Sequence, residues 1–195
     1  MMPDSDPLPV EFDELLAAEF NYIAQTAIQA NEDRARVSSF YLIAVGSLVA
    51  AMFGAQYIDS TFLSIDVNVL FSGLFLLLTL MGTSTIMQLA RLRSAWYESA
   101  LAMNQLKDYM MSQNKTLNQA FRWKTSTLPG KYKKDSISYY QALEVALISG
   151  LMLGAAVFFT EQAMLPPGSF PLVPAAVIGI ASVFVQLYIY RRALK

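Results

Sequence analysis

The sequence contains neither cysteine nor histidine. Without cysteine the chain can form no disulfide, zinc thiolate or thiol nucleophile, and without histidine it lacks the commonest metal ligand and the usual general base. It also contains none of the motifs GxxxxGK[ST], HExxH, GxSxG, CxxC and GxGxxG, which mark phosphate-binding and catalytic sites. Carboxylates, lysine and tyrosine are left for acid–base or covalent chemistry. We therefore expect no metal, no cofactor and no enzymatic activity.

Charge is scarce as well. Only 15% of the residues are charged and 55% are hydrophobic, whereas soluble domains contain about 25% charged residues. This composition is typical of a membrane protein, and 195 residues suit one domain. The first 16 residues are acidic and rich in proline, with neither the basic nor the apolar region of a signal peptide, so we expect none there.

Long uncharged stretches are abundant. A helix that crosses roughly 30 Å of bilayer hydrocarbon needs roughly 20 apolar residues, because lipid offers no partner for backbone polar groups. Residues 37–58 and 67–90 meet this requirement without any charge, and residues 139–161, which contain Glu144, and residues 171–190 are the third and fourth candidates. Prolines near the start of the fourth are tolerated in the first turn of a helix. The sequence thus predicts an all-α, polytopic membrane protein in which residues 1–195 form a single membrane domain with four transmembrane helices.

Lysine and arginine are confined to one side of these predicted spans. The connections at residues 58–66 and 161–170 contain none of the 14 basic residues. Because cytoplasmic loops retain positive charge, we expect a multi-pass inner-membrane protein with both termini in the cytoplasm. Tyrosines near the span ends are expected among the lipid headgroups, which favour amphipathic rings. They are Tyr41, Tyr57, Tyr139, Tyr140, Tyr188 and Tyr190.

Two of the spans continue into helix-compatible cytoplasmic segments. Residues 1–36 are acidic, and their helical part carries an apolar stripe at spacings of three and four: Phe12, Leu16, Phe20, Ile23, Ala27 and Ala30. Residues 91–138 are predicted to form a basic helix and a loop, with a coiled-coil-like seam: Leu92, Trp96, Ser99, Met103, Leu106, Met110, Gln113 and Leu117. These amphipathic helices could clip the spans together, or could form an oligomerisation or partner-docking surface.

Cations cluster where the chain meets the predicted membrane surface. Arg34 and Arg36 directly precede the first span, and Glu32 lies four residues before Arg36, the spacing of a helical ion pair. A second group mixes cations with an aromatic ring: Arg122, Trp123, Lys124, Lys131, Lys133 and Lys134. We expect these cations to bind anionic lipid headgroups, each contributing on the order of 1 kcal/mol. Nucleic acid could use the same chemistry but is disfavoured.

Small residues recur at every fourth position in two spans. They are Gly46, Ala50 and Gly54 in the first span, and Ala142, Ala146, Gly150 and Gly154 in the third. Small faces let helix backbones approach closely, which drives helix association in lipid. The pattern leaves open whether this packing occurs within one subunit or between subunits.

Polar side chains inside the predicted spans are candidates for function, because they are costly in lipid. Gln88, Glu144 and Gln186 fall at a similar depth near the cytoplasmic ends of their spans. They could form a polar ring that lines a pore or a proton site, with Glu144 as the ionisable member. Alternatively, Glu144 reaches the membrane surface and the glutamines bond to neighbouring helices. Four hydroxyls of the second span are predicted to bond back to their own helix: Thr79, Thr83, Ser84 and Thr85.

One stretch resembles known small bacterial membrane proteins. Residues 19–53, EFNYIAQTAIQANEDRARVSSFYLIAVGSLVAAMF, place a cytoplasmic helix with a conspicuous arginine, Arg34, directly before the first span. In this respect the chain is similar to the SLATT proteins of bacterial conflict systems and to RipA-like oligomeric membrane proteins. The resemblance implies an oligomer whose spans open or perturb the membrane in response to a cytoplasmic signal.

Three functions follow as hypotheses. The first is an oligomeric integral inner-membrane protein, a scaffold or pore-like effector, whose cytoplasmic helices form an assembly or sensing layer that could also dock a cytoplasmic protein. The second is a small ion or proton channel, or a transporter subunit, that uses Glu144. The third is a membrane-embedded enzyme that relies on carboxylates, which the absent motifs disfavour.

Overall fold

The computed structural model of the chain describes residues 12–55, 66–113, 115–164 and 172–195. Within these residues the regular structure is entirely helical. The α-helices are α1 (Phe12–Ala55), α2 (Val67–Gln113), α3 (Ile137–Met164) and α4 (Leu172–Ala193), and the 3₁₀ helices are Lys115–Gln119 and Thr125–Thr127. All four α-helices are long and apolar enough to cross a membrane. The predicted all-helical fold with four such helices is therefore confirmed for the described residues.

α1 and α2 are longer than a span because each continues through the charged run beside it. α1 contains no proline to break it, and its two glycines, Gly46 and Gly54, lie in its apolar part. The predicted seam of α2 was too long, since the α-helix ends at Gln113 and Leu117 lies in a 3₁₀ helix. Several predicted positions lie outside the described residues, namely residues 1–11, 56–58 and Pro171.

The chain divides into two compact units. The extension unit comprises the described residues up to Asn31 together with Ala95–Pro129, and the span unit comprises Glu32–Ser94 and Gly130–Lys195. α1 and α2 each contribute to both units, whereas α3 and α4 belong to the span unit alone. The segments predicted to be cytoplasmic overlap the extension unit.

Within the span unit, α3 and α4 approach each other closely. A Cβ atom placed on Gly150 would lie 2.7 Å from the carbonyl oxygen of Gly179 and 2.5 Å from a methyl carbon of Val183. A Cβ atom on Gly154 would lie 3.0 Å from the carbonyl oxygen of Ala175. The two backbones are thus in contact, which is the packing mode of small-residue faces.

Two apolar clusters complete the span unit. The buried members of the larger cluster are Tyr41, Ile86, Leu89, Ala90, Ala142, Val145, Ala146, Tyr190 and Leu194. The smaller cluster consists of Phe75, Leu78, Met152 and Ala156. Its edge is closed by Phe159, whose ring stacks on Phe75 with 5.6 Å between ring centres. Aromatic pairs at this distance stabilise a core beyond the area they bury.

Three threonine hydroxyls of α2 are bonded within their own helix, whereas Ser72 Oγ of the same helix donates to the carbonyl oxygen of Ala156 on α3 at 3.0 Å. Thr79, Thr83 and Thr85 each donate to the backbone carbonyl oxygen four residues earlier, at 2.9–3.0 Å. This confirms the predicted back-bonding for the three threonines. Ser84 differs, because its Oγ accepts a hydrogen bond from Gln88 Nε2 at 3.3 Å. Local bonds of this kind offset the cost of placing polar groups in an apolar helix.

In the extension unit, the loop that follows α2 is tied back onto that helix. Asn104 Nδ2 donates to the carbonyl oxygen of Lys124 at 3.1 Å, and the backbone N–H of Thr125 donates to Asp108 Oδ2 at 3.2 Å. Because both bonds involve backbone groups of the loop, they fix the course of the chain and not only its side chains.

The N-terminal part of α1 packs in the same unit. Ala27 and Ala30, from the predicted apolar stripe, are buried, while Phe20 is half-buried. Lys107 Nζ of α2 lies 5.6 Å from the centre of the Phe20 ring, within cation–π range. The stripe therefore meets α2 within this unit.

Candidate functional site: a buried arginine pair beside a polar interior

The span unit buries two arginines where α1 and α2 change from charged to uncharged sequence. Arg34 on α1 is 8% exposed and Arg93 on α2 is 6% exposed. Arginine is almost never this buried unless other groups stabilise it, because removing a charge from water is costly. We name Arg34, Arg93, Lys131 and Tyr190 the boundary cluster.

Hydrogen bonds hold Arg93, Lys131 and Tyr190 of the boundary cluster in place. Arg93 Nε donates to the carbonyl oxygen of Lys131 at 3.1 Å, and Lys131 Nζ donates to Ser94 Oγ at 3.1 Å. The Tyr190 hydroxyl lies 2.8 Å from Ser138 Oγ and donates to the Ser138 carbonyl oxygen at 3.2 Å. These bonds attach the segment before α3 to α2, and the start of α3 to the end of α4.

The electrostatics of the cluster are those of two neighbouring cations. Burial, and then the nearby charge of Arg93, lower the pKa of Arg34 below its usual value. Burial lowers the pKa of Arg93 as well, while Tyr190 acts in the opposite direction. A guanidinium keeps its proton at neutral pH even so. The pair can therefore hold anionic or hydrogen-bond-accepting groups, but it cannot exchange protons.

The cations predicted to contact lipid headgroups differ in exposure. Arg34 departs from the prediction because its side chain is buried in the protein. Arg36 is exposed, and its ion pair is with Asp33, at 3.2 Å, and not with Glu32, since a three-residue spacing also brings helical side chains together. Among the other cations, Arg122, Lys133 and Lys134 are exposed, while Lys124 and Lys131 are half-buried; the aromatic Trp123 is exposed as well.

The three polar candidates of the spans do not share one environment. Gln88 and Glu144 are exposed, whereas Gln186 is only 3% exposed. Gln186 Nε2 donates to Ser149 Oγ at 2.8 Å, which joins α4 to α3, and to Ser182 Oγ at 3.2 Å. Within one subunit, Gln186 therefore lies in the interior, and Gln88 and Glu144 lie on the surface.

Sequence reasoning missed the rest of this polar interior. Ser149 Oγ donates to the carbonyl oxygen of Thr79 at 3.2 Å. The hydroxyls of Ser149 and Tyr41 would lie 2.6 Å and 2.7 Å from a Cβ atom placed on Gly82. The residues thus converge from three helices. No sequence signal indicates that Ser149 faces inward, because a serine in an apolar run has the same sequence pattern whichever way its side chain faces.

The tyrosines near the ends of the predicted spans also differ in exposure. Tyr41 and Tyr190 are buried in the protein, at 0% and 1% exposure, and so do not lie at its surface as predicted. Tyr140 and Tyr188 are exposed, Tyr139 is half-buried, and Tyr57 lies outside the described residues. Hydropathy predicted their depth along the helices but not the side of the helix on which each one lies.

The two small-residue faces have different surroundings. On α3, Ala142, Ala146 and Gly150 are buried, and the last of these contacts α4. On α1, by contrast, Gly46, Ala50 and Gly54 are all exposed. A Cβ atom placed on either of these two glycines would meet no atom within 4 Å. The question left open by the sequence is thus answered for α3, whose small face packs within one subunit.

Fold and site together define an all-helical protein with four helices able to cross a membrane and a buried arginine pair at one end of them. In the described ranges, no group of three or more metal-ligating side chains lies close enough together to hold an ion. Compared with known proteins, the chain matches no family model, no curated protein and no solved structure. Its function is therefore inferred from its own geometry.

Proposed function

We propose that the protein is an oligomeric integral inner-membrane protein that acts as a scaffold or a pore-like effector. Four spans anchor it, both termini lie in the cytoplasm, and the extension unit forms a cytoplasmic layer for assembly or sensing. Its partners are the bilayer, anionic lipids and further copies of the same chain. The proposed oligomer rests on one observation, the exposed small-residue face of α1 formed by Gly46, Ala50 and Gly54.

Large apolar side chains exposed along all four helices support insertion into a bilayer. Exposed apolar area costs about 25 cal/mol per Å² in water, and soluble monomers rarely expose large continuous apolar patches. Lipid around the span unit would remove this cost. The exposed side chains include Ile43, Phe53, Leu77, Leu80, Leu147, Leu151, Ile180 and Phe184.

Cations at corresponding ends of the spans support the proposed orientation. Arg36 precedes the uncharged part of α1 and Arg91 follows that of α2, while Lys134 precedes α3 and Arg191 lies in the last turn of α4. The positive-inside rule places such ends in the cytoplasm. The connections at the opposite ends contain no lysine or arginine.

The open face of α1 supports self-association. Gly46 and Gly54 are exposed, and a Cβ atom on either would meet no atom of the described residues within 4 Å, although glycine costs a helix about 1 kcal/mol relative to alanine. A second α1 would fill this face, because small residues let two helix backbones come into contact. The equivalent face of α3 is already filled by α4.

The extension unit supports the assembly or sensing role. Leu15, Tyr22 and Ile28 of α1 are 56%, 68% and 57% exposed. A cavity of about 470 Å³ in the same unit is lined by residues that include Phe20 and Met110. Such exposed apolar surface suits contact with another copy or with a cytoplasmic protein.

Mass photometry of the full chain in nanodiscs tests the oligomer. We expect a mass above one copy of 21.6 kDa after subtraction of the lipid disc. The double variant Gly46→Ile and Gly54→Ile should shift the protein to single copies, because bulky side chains keep two α1 backbones apart. The matched control is Gly73→Ile, at an exposed glycine of α2 that also has no neighbour within 4 Å; it should keep the wild-type mass.

Two results would contradict the proposal. One is a wild-type protein that is a single copy at every concentration tested. The other is a Gly73→Ile variant that dissociates as fully as the α1 double variant, which would show a general effect of bulky residues and not a role for the α1 face.

A further inference from the structure

Two adjoining cavities in the span unit form one groove between α1 and α2. The first cavity, of about 330 Å³, is lined by Asp33, Arg36, Val37, Gln88, Arg91 and Leu92. The second, of about 400 Å³, is lined by Arg36, Val37, Phe40, Met81, Ser84, Thr85 and Gln88. Because three residues line both cavities, we treat them as a single feature, the α1–α2 groove.

We propose that the α1–α2 groove binds one anionic phospholipid, with the lipid phosphate at the charged end and an acyl chain along the apolar wall. This inference depends on the membrane insertion and orientation proposed above. It does not depend on the oligomer, because every lining residue belongs to one subunit. The sequence predicted only a general attraction between surface cations and anionic lipid, whereas this proposal specifies one binding site.

The charged end of the groove suits a phosphate diester. Arg36 and Arg91 are exposed there, and Asp33 is the carboxylate that lines the same cavity, so the end carries one net positive charge. Asp33 Oδ1 accepts from Arg36 Nη1 at 3.2 Å. A guanidinium has five N–H donors, so this bond holds the side chain and leaves others for phosphate oxygens. Gln88 lines the same end; its Nε2 donates one hydrogen to Ser84 Oγ at 3.3 Å and has a second amide hydrogen.

The groove then continues into the apolar part of both helices. Arg36 directly precedes an uncharged run, and Phe40, one turn further on, is 65% exposed. On α2, Met81 lies ten residues before Arg91, which is about 15 Å of helix. In the proposed orientation, the two cations lie at headgroup level and the apolar wall lies at acyl-chain level.

This combination favours a lipid over a soluble anion or a peptide. A free phosphate would use only the charged end and would gain nothing from the apolar wall, which includes Val37, Phe40 and Met81. An acyl chain gains no hydrophobic transfer energy when it moves from the surrounding lipid to this wall, but it adds packing contacts and keeps its phosphate at the depth of the two cations. A lipid whose phosphate and chain are covalently linked uses both parts of the groove at once.

Lipid binding to the purified full chain in detergent, measured by native mass spectrometry, tests the site. We expect phosphatidylglycerol to bind about tenfold more tightly than phosphatidylcholine of the same chain length, since each cation near the headgroup favours an anionic lipid. The double variant Arg36→Gln and Arg91→Gln should remove this preference. The control variant, Arg192→Gln and Lys195→Gln, removes the same charge from exposed positions outside the groove and should keep it.

Further measurements distinguish a lipid phosphate from free phosphate, and the lipid site from the oligomer. Inorganic phosphate should leave bound phosphatidylglycerol in place, and Phe40→Ser should weaken binding of the long-chain lipid more than that of its dihexanoyl form. The inference is overturned if the control variant loses the preference equally, if the wild type shows none, or if phosphate displaces the lipid. The Gly46→Ile and Gly54→Ile variant should retain the preference. If the wild type is monomeric but still prefers phosphatidylglycerol, only the proposed oligomer is contradicted. If the wild type is oligomeric but shows no such preference, only the lipid site is contradicted.

Discussion

Gly150 and Gly73 show how the surroundings of one residue type decide its energetic role. A Cβ atom on Gly150 would meet the backbone of α4, whereas one on Gly73 would meet nothing within 4 Å. We expect Gly150→Ala to lower the free energy of unfolding by about 1–3 kcal/mol, because two packed backbones must separate. The control Gly73→Ala should be neutral or stabilising by up to about 1 kcal/mol, because alanine favours the helix. Denaturation in mixed micelles measures both, and equal losses would contradict the α3–α4 contact.

Residue-scale burial could not be predicted from the sequence. Arg34 and Arg36 are two positions apart, which is about 200° around a helix with 3.6 residues per turn. One of them must therefore face roughly opposite to the other, and the structure buries Arg34 and exposes Arg36. The sequence shows the spacing of the two arginines but not which side of the helix faces the protein interior. Both could therefore be predicted to lie at the membrane boundary, but not which of them would be buried.

At the scale of the elements, the positions of the helices along the chain were predictable, whereas the faces of their uncharged parts were not. Hydropathy locates each span because an apolar run must satisfy its own backbone groups in lipid. The small faces of α1 and α3 look alike in sequence, yet only the α3 face is filled, by α4. The facing of a helix depends on which neighbour packs against it, and that depends on contacts far apart in the chain.

The exposure of Glu144 on α3 leads to a prediction about the alternative function, a channel that uses this residue. Glu144 is exposed, whereas the buried polar interior is built around Gln186. In the part of the chain that the structure describes, the exposed carboxylate of Glu144 therefore lies outside that interior. We therefore expect Glu144→Gln to leave ion and proton flux unchanged in liposomes that contain the full chain, with an added ionophore to verify that the vesicles are sealed. A loss of flux on this substitution would favour the channel that uses Glu144.

At the scale of the whole molecule, the distribution of charge matters more than its sum. The formal net charge is only -1, yet the 14 lysines and arginines avoid the two short connections on one side of the predicted spans. The sequence therefore supports a prediction of orientation, because the positive-inside rule uses sequence position alone. The division into two compact units could not be predicted, because each unit joins two segments that are separated along the chain, by residues 32–94 in the extension unit and by residues 95–129 in the span unit.

Cysteine accessibility in spheroplasts tests the central claim, that four helices cross the inner membrane with the basic segments inside. The chain contains no cysteine, so each introduced thiol reports on one site. Lys134→Cys and Gln162→Cys both change exposed positions, before α3 and near its end. A membrane-impermeant maleimide should label Gln162→Cys in intact spheroplasts, and Lys134→Cys only after permeabilisation. Labelling of Lys134→Cys in intact spheroplasts, or recovery of the protein in the soluble fraction, would contradict the account.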